Sequence, residues 1–498
     1  MNRKGLVLAL ILAFLIGMAT HAAGQTETPA VSGTEAQPGT PATPGTAVQP
    51  DRSTMAGAPV QQNIPVLPGT PDPTGMSAPL RLPAGDRYMI QPYIFVTEQY
   101  TSNVYLTKEN KKEDWITTLG PGIRLSYNDA AFGADLTGNF GYNWYANQTK
   151  EDYWSIDGAL GLRYNPTPQL TFRVREYILR SENTAEQNYA QGGQPAQPGV
   201  IAGTNQGNSP YLRNVVEPSV DWQFSRQGTV GILYRNNILR NEDNVFYDDS
   251  TENYVRPSFS YWFNQRNNIA LDYGFTQGEY TREGALPATP DFTSHNPHGR
   301  YTYRFDAQMS IFADYVYSYQ DSDDPGIDYN VNNPSVGITY AFNPTLIGTA
   351  QVGYFWMNPD RGDDFNGITS NLNISQRDRQ TTYTLAFNSG YEQDQFGFDN
   401  LGFNKFYGGS ASISHSVTQR FNIGFVGSAV YREYAFTDRN DWVYTADATA
   451  SYRILQWLTI SGRVGYQADD SNIDLNSYDE WHAFLTLTAS FENLLYGR

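Results

Sequence analysis

Residues 154–164 read WSIDGALGLRY, and this segment decides the fold. Every second residue from Trp154 to Tyr164 is apolar, aromatic or glycine, and the residues between them are small or polar. Successive side chains of a β-strand point to opposite faces, so the segment predicts a strand with one apolar and one polar face. An aromatic residue at each end of the apolar face is typical of a strand that crosses a bilayer.

Two later segments repeat this pattern. Residues 442–452 read WVYTADATASY, again with an aromatic residue at each end of the apolar face. Residues 481–491 read WHAFLTLTASF and resemble the aromatic-ended final strand that outer-membrane barrels use as an assembly signal. Residues 492–498 follow that final aromatic residue here, which departs from the usual pattern.

The connections between such segments alternate in length from about Arg87 to Phe491. Short connections are predicted at 128–130, 165–168, 225–228, 264–267, 306–308, 343–345, 377–380, 418–419 and 454–456. Longer polar segments lie between them, the longest at 181–210. Short turns that alternate with long loops are typical of outer-membrane barrels, with the turns in the periplasm. We therefore predict an all-β fold, a transmembrane antiparallel up-and-down barrel of about 20 strands, in the range of about 18 to 22.

Four prolines recur at intervals of roughly forty residues in the middle of this region. Each precedes the aromatic residue that opens a short turn; the prolines are Pro218, Pro257, Pro297 and Pro334. Proline removes a ladder hydrogen bond from a sheet, so the recurrence predicts a bulge or bend on successive hairpins. Turn chemistry shared among hairpins is the alternative explanation.

The composition agrees with a barrel and excludes several other classes. Aromatic residues make up 14% of the chain and charged residues 17%, a mixture that a lipid-facing surface and a wet interior produce together. The absence of cysteine excludes disulfides, thiol nucleophiles and Cys-ligated metal or haem. The net charge of -18 argues against a nucleic-acid partner, because phosphate binding needs clustered Lys and Arg.

The N-terminal region predicts export. Arg3 and Lys4 precede an apolar run from Gly5 to Met18 and small residues near position 24, which is the pattern of a secretory signal peptide at residues 1–24. Residues 25–84 are rich in Pro, Gly and Thr and predict a disordered periplasmic linker. The barrel then occupies residues 85–498. The linker is either a spacer or a ligand for a periplasmic partner or peptidoglycan.

A family resemblance is carried by residues 100–106, which read YTSNVYL, together with Asp114 and the segment LGPGI at 119–123. These residues resemble the first hairpin of the β-barrel porin 2 family, which includes proteins that accompany exopolysaccharide and exosortase gene clusters. Family members usually have Asp where this chain has Ser102. The resemblance is specific over about forty residues and architectural over the rest. It implies an outer-membrane barrel in a Gram-negative bacterium with a link to polysaccharide export, and it assigns no functional residues.

The histidines do not predict an active site. His415 lies between Ser414 and Ser416, whose side chains point to the opposite face of the strand, so a Ser-His hydrolase is disfavoured. His295 and His298 could ligate a metal, but we expect them to be solvated loop residues. We predict no catalytic residue, no metal site and no cofactor, and hence that the protein is not an enzyme.

Charged residues on the inferred inward face are the candidate site. The predicted lumen-facing residues are Arg124, Arg163, Arg173, Arg175, Arg235, Arg256, Arg300, Arg304, Asp157, Glu217 and Asp221. They could form a salt-bridged ladder or a wall that selects anions or sugar acids. Acidic clusters at 321–324 and 363–364 predict a solvated rim or bridging of divalent ions to lipopolysaccharide.

The predicted aromatic girdle marks the two membrane interfaces. It comprises Trp115, Tyr127, Trp154, Tyr164, Trp442, Tyr452, Trp481 and Phe491. About twenty strands enclose a lumen wide enough for water unless a plug fills it. The sequence therefore predicts a porin-like channel for hydrophilic solutes or for exopolysaccharide export, located in the cell outer membrane. Its expected partners are outer-membrane lipid and lipopolysaccharide, with polysaccharide or other envelope components as further candidates. A non-conducting scaffold barrel and the sleeve of a multihaem electron conduit are the alternatives.

Overall fold

The structure, a computed structural model, describes residues 88–182, 209–242, 247–283, 288–324, 328–394 and 402–491. The predicted signal peptide and linker, the centre of the 181–210 loop and residues 492–498 lie outside the described residues.

Twenty β-strands account for most of the described residues. In chain order they are β1 (Tyr88–Thr101), β2 (Asp114–Asn128), β3 (Phe132–Tyr145), β4 (Tyr153–Thr167), β5 (Leu170–Ser181), β6 (Tyr211–Trp222), β7 (Gly228–Asn241), β8 (Asp249–Trp262), β9 (Asn267–Thr281), β10 (Phe292–Arg304), β11 (Met309–Ser322), β12 (Tyr329–Asn343), β13 (Leu346–Pro359), β14 (Phe365–Arg377), β15 (Thr381–Asp394), β16 (Gly402–Ser416), β17 (Phe421–Tyr434), β18 (Asn440–Leu455), β19 (Leu458–Ser471) and β20 (Tyr478–Ser490). Short 3₁₀ turns occur at Thr149–Glu151 and Asp474–Asn476. No helix among the described residues has the length and apolarity needed to cross a membrane.

The sheet closes on itself. Each strand pairs antiparallel with its neighbours in sequence, and β1 pairs with both β2 and β20. The closing pair runs from Tyr93 opposite Ser490 to Thr101 opposite His482. A closed sheet satisfies its own backbone hydrogen bonds and leaves no edge. The prediction of an up-and-down barrel of about 20 strands is confirmed.

The two ends of the barrel differ as predicted. All nine short connections fall between an even-numbered strand and the next odd-numbered one, and we call this the turn side. Side-chain oxygens hold several of these turns: Asp129 accepts the N–H groups of Ala131 and Phe132, and Asp306 accepts those of Gln308 and Met309. Such local hydrogen bonds explain why Asp and Asn open the turns. The longer connections define the opposite, loop side.

Contacts that skip a strand identify the inner face. Gln351 on β13 reaches Asp314 on β11, and Thr369 on β14 reaches Asn333 on β12. Side chains two strands apart meet only on the concave side of a curved sheet. The alternate residues of the same strands face outward, and this face carries the large exposed apolar side chains, among them Val336, Val352 and Leu385. The predicted faces of β4 and β18 follow this division.

One outward residue of β4 is less accessible than its position suggests. Leu160 shares a face with the exposed Tyr164 but is only 4% exposed. Its cross-strand neighbour on the same face is Leu136, which is equally covered. The outward face therefore packs against itself here and contributes no interior core.

The prediction of bulges at the recurring prolines is wrong. Pairing lapses for two residues at Pro218, Pro257, Pro297 and Pro334, always toward the following strand, and then resumes in the same register. The missing proline N–H removes ladder bonds without inserting a residue. Pro121 on β2 repeats the arrangement toward β3. Register shifts occur instead beside the turns, between Tyr164 and Thr167, between Ala341 and Asn343, and between Arg453 and Leu455.

Apolar clusters occupy the interior near the loop side, a feature that the alternating sequence pattern does not predict. One is formed by Tyr177, Leu179, Tyr211, Val215 and Leu239; another by Tyr329, Val331, Phe355, Met357, Tyr391 and Phe403; a third by Val104, Ile116, Tyr145 and Tyr153. Tyr391 and Phe403 break the alternation, because the odd-numbered residues of β15 and β16 that lie closer to the turn side face outward. The interior is therefore polar toward the turn side and partly packed toward the loop side.

Candidate functional site: the barrel interior

Strand register places all of the predicted lumen-facing residues on the inner face. These are Arg124, Arg163, Arg173, Arg175, Arg235, Arg256, Arg300, Arg304, Asp157, Glu217 and Asp221. They occupy β2, β4, β5, β6, β7, β8 and β10, so the charged wall covers roughly one half of the circumference.

Three of these arginines, Arg173, Arg235 and Arg300, pair with acidic side chains. Arg235 lies 2.7 Å from Glu252 and 3.6 Å from Glu217, and Arg173 pairs with Asp221. Arg124 stacks over the ring of Tyr93 at 4.7 Å. A paired guanidinium loses most of its attraction for a passing anion, so this part of the wall is a salt-bridged ladder rather than a bare basic surface.

A buried ion network lies on β9, β10 and β11. The Arg300 side chain donates from Nε and Nη2 to both carboxylate oxygens of Asp314, at 2.5 and 2.7 Å. His298 lies between Asp272, 2.8 Å from Nδ1, and Asp314, 3.3 Å from Nε2. The expectation that His298 is a solvated loop residue is wrong. It faces inward from the middle of β10 and is nearly buried, while His295 on the same strand faces outward and bonds to Tyr273.

A second network closes the seam of the barrel. Arg463 donates to both oxygens of Asp447, at 2.7 and 3.1 Å, and His482 lies 3.1 Å from the same carboxylate. Glu480 accepts from Gln467 and from the hydroxyl of Thr101 on β1. These contacts join β18, β19, β20 and β1. Alternation of charged and apolar residues in sequence places each group on the inner face but does not identify its partner.

The inner wall on β12 to β16 is mainly neutral and polar. Its inward side chains on β12 to β16 include Asn333, Ser335, Thr339, Thr349, Gln351, Thr369, Asn371, Asn373, Ser375, Thr382, Thr384, Asn388, Ser410, Ser412 and Ser414. Hydroxyl and amide groups donate and accept hydrogen bonds, which matches water and the hydroxyl groups of sugars. The lumen thus has a neutral sector on β12 to β16 between two charged sectors.

Open space exists inside the barrel next to the charged wall. Gly161 faces inward, and a Cβ added there would meet nothing within 4 Å. Its cross-strand neighbour Arg175 is exposed, as is the inward-facing Ser258 on β8. Side chains at mid-barrel positions therefore border solvent rather than a packed core.

The acidic clusters lie at the loop side. Asp321 is the next-to-last residue of β11, and Asp323, Asp324, Asp363 and Asp364 occupy the connections that follow β11 and β13. Within the described ranges, no group of three or more His, Asp or Glu side chains is arranged to hold a metal ion.

The predicted girdle residues occupy the outward face at two levels. Trp115, Trp154, Trp442 and Trp481 lie toward the loop side, and Tyr127, Tyr164, Tyr452 and Phe491 toward the turn side. Most are strongly exposed, whereas Tyr127 is covered and bonds to Asp129.

The loop-side girdle contains a repeated cross-strand hydrogen bond that the sequence did not suggest. A Tyr hydroxyl on an odd-numbered strand bonds to a diagonal neighbour on the next strand in four successive hairpins. The pairs are Tyr234 with Asn253, Tyr273 with His295, Tyr315 with Asn332, and Tyr354 with Asn366. Such a pair keeps the hydroxyl satisfied while the ring lies against an apolar surface.

Residues that carry the family resemblance organise the loop side. Asn103 is fully buried, and its Nδ2 donates to the main-chain oxygens of Thr107 and Asp479. Asp114 is also fully buried and accepts the main-chain N–H groups of Asn147 and Gln148 at 2.9 and 2.7 Å. Both positions are therefore structural: each fixes a loop to the rim of the barrel.

Glu182, directly after β5, has a perturbed carboxyl group. Its side chain is almost fully buried, and burial, together with the nearby charge of Glu151, raises its pKa to about 8. Burial and a hydrogen bond to Glu151 likewise raise the pKa of Tyr105 to about 12. This part of the loop side therefore disfavours negative charge.

Comparison with known proteins finds no matching family model and no matching curated relative. Solved structures with a similar strand arrangement include OpdQ of Pseudomonas aeruginosa (11% identity, 81% of this chain and 97% of that chain, TM-score 0.36). Others are the siderophore receptor PirA from Pseudomonas aeruginosa (10% identity, 81% and 80%, TM-score 0.45) and OccAB3 of Acinetobacter baumannii (10% identity, 81% and 99%, TM-score 0.36).

Proposed function

We propose that the protein is an outer-membrane channel through which hydrophilic solutes pass, with hydroxyl-rich chains such as polysaccharides as the preferred class. The observation that carries the proposal is the contrast between the two faces of one closed ring. The outer face bears large exposed apolar and aromatic side chains, and the inner face bears ion pairs, amides and hydroxyls beside open space. A closed barrel with that division is stable in a bilayer and keeps water inside.

The neutral wall supports the preference for hydroxyl-rich solutes. Hydroxyls on Ser410, Ser412 and Ser414 follow one another along the inner face of β16, and amides on Asn371 and Asn388 pair at 2.9 Å nearby. A sugar chain that slides along this wall exchanges hydrogen bonds with water for equivalent bonds with the protein. On the opposite wall, the pairing of Arg173, Arg235 and Arg300 with carboxylates weakens the field that these residues exert on it.

Reconstitution into planar bilayers tests the channel. The full mature chain should give steps of ionic current, and liposomes that contain it should swell in sugar solutions up to a size limit. Closed bilayers and unswollen liposomes would contradict the proposal and favour a scaffold barrel. Haem that copurifies with the protein would favour the sleeve of an electron conduit.

A further inference from the structure

The two mouths of the barrel carry opposite charge. Inward arginines lie at the turn-side ends of four even-numbered strands. They are Arg163 on β4, Arg304 on β10, Arg377 on β14 and Arg453 on β18. Among the described residues, none of the four forms a salt bridge: Arg163 bonds to Asn128 and Arg304 stacks over Trp262 at 4.4 Å. Arg377 and Arg453 are exposed. These four residues are termed the arginine mouth.

Other charges near the arginine mouth do not cancel it. The turns add the exposed Arg226, Arg266, Arg379 and Arg420. Acidic groups at this end of the described residues are Asp129, Asp135, Asp306 and Asp378, four carboxylates against eight arginines. Asp221 is neutralised by Arg173.

The loop side is acidic. Asp323, Asp324, Asp328, Asp360, Asp363 and Asp364 lie in the connections on either side of β12 and β13, where Arg361 is the basic residue among the described positions. An anion that reaches this end meets repulsion, whereas an anion at the turn side meets attraction. The lumen therefore has an electrostatic axis that runs from a basic mouth to an acidic mouth.

We infer that the arginine mouth captures an anionic, hydroxyl-rich polymer from the turn side, so that the channel is suited to export acidic sugar chains. The inference rests on the proposed function and adds the charge of the substrate and its side of entry. Guanidinium groups suit carboxylates and phosphates, and a mouth lined by one sign of charge raises the association rate of the opposite charge by about ten to a thousandfold. The axis does not drive transport; it sets the side on which capture is fast.

Single-channel block tests this sidedness with the full mature chain. The probes are polygalacturonate fragments and, as the neutral control, dextran fragments of the same length. The side that the loops face is identified with Asp363→Cys, whose thiol is the only one in the chain and is modified by a charged, membrane-impermeant reagent from the loop side. Polygalacturonate added at the turn side should block at least about tenfold more often than at the loop side at low salt.

Two further results are expected if capture is electrostatic. The difference between sides should shrink in 1 M salt, where the screening length is about 3 Å. The variant with Arg304→Gln, Arg377→Gln and Arg453→Gln should lose the difference, whereas Arg361→Gln on the loop side should keep it.

The outcomes separate the inference from the channel itself. Equal polygalacturonate block from both sides, or equal turn-side block by dextran, in a channel that conducts would overturn the inference and leave the channel standing. A triple variant with undiminished sidedness would also overturn it. A protein that never conducts would overturn the proposed function, and the inference with it.

Discussion

The side-chain amide of Asn103 donates a hydrogen bond to the main-chain oxygen of Asp479, 3.0 Å away, and so ties the first loop to the last strand. The neighbouring Ser102 makes both a main-chain and a side-chain bond to Trp481, and Thr101 bonds to Glu480. The point at which the barrel closes is thus held by Thr101, the last residue of β1, and by the two residues that follow it.

Removal of the Asn103 amide should loosen this seam. Asn103→Ala leaves the main-chain oxygen of Asp479 and the Thr107 N–H without their partner, which costs about 1–3 kcal/mol in a buried site. The expected result is faster amide exchange in residues 102–107 and a lower unfolding temperature of the detergent-solubilised barrel. Glu109→Gln, in the exposed part of the same loop, is the matched control and should behave as wild type. Identical exchange in both variants would show that the amide does not hold the seam.

A comparable prediction concerns Asp114 and the loop between β3 and β4. Its carboxylate accepts N–H groups from Asn147 and Gln148, so Asp114→Ala should free residues 146–152. Limited proteolysis should then cut within that loop at least about tenfold faster, because two charge-assisted bonds stabilise it by roughly 1.5–3 kcal/mol each. Asp114→Asn keeps an acceptor oxygen, so its rate of cleavage should fall between that of the wild type and that of Asp114→Ala. A loop that stays resistant in the Ala variant would argue against this role.

The ion network on β10 and β11 predicts a large asymmetry between single and double substitutions. Asp314→Asn leaves the Arg300 guanidinium buried without its partner and should destabilise the barrel by about 3–5 kcal/mol. Arg300→Met combined with Asp314→Leu should recover much of that loss. The half-exposed pair of Arg173 with Asp221 is the control, and Asp221→Asn should cost no more than about 1 kcal/mol. Urea titrations in detergent compare the three variants with the wild type, and equal costs for the two Asp→Asn changes would contradict this prediction.

The raised pKa of Glu182 predicts that the stability of the barrel changes with pH in a defined direction. The folded pKa of about 8 lies above the unfolded value of 4.5, so the folded state holds the proton more tightly between these values. The contribution of Glu182 to the free energy of unfolding should therefore be fully present below about pH 4.5. It should decline by roughly 1–3 kcal/mol as the pH rises through 8. Glu182→Gln should remove this part of the decline. Urea unfolding at pH 5 and 8.5 measures it, and an unchanged slope in the variant would place its origin elsewhere.

The sequence predicted the barrel from local chemistry. Alternation along 154–164 assigns every side chain of that segment to a face, and Asp129 and Asp306 open turns by accepting N–H groups of residues that follow them. Each of these signals involves only a few neighbouring residues, so it can be recognised in the sequence without knowledge of tertiary contacts. The strand number and all nine short turns followed from them.

Features that depend on neighbouring strands were not predictable in the same way. The position of His298 between two carboxylates depends on the register of β9, β10 and β11, whereas two histidines on either side of a proline suggested a loop. Tyr391 lies inward beyond Ser389, where the pairing of β15 with β14 ends, although the alternation assigns it to the outer face. The unshifted register at Pro297 likewise depends on the partner strand, which the sequence pattern does not specify.

The division between a wet interior and a lipid-facing wall is tested most directly with two adjacent residues of β4, in a chain that has no native cysteine. Gly161→Cys places a thiol in the open interior, and Leu162→Cys places one on the outer face. A charged, membrane-impermeant thiol reagent, applied to the reconstituted channel, should react with the thiol at 161 and lower the current, and should leave the thiol at 162 unmodified and the current unchanged. The reverse pattern, or equal reactivity at both positions, would contradict a wet interior enclosed by a lipid-facing wall.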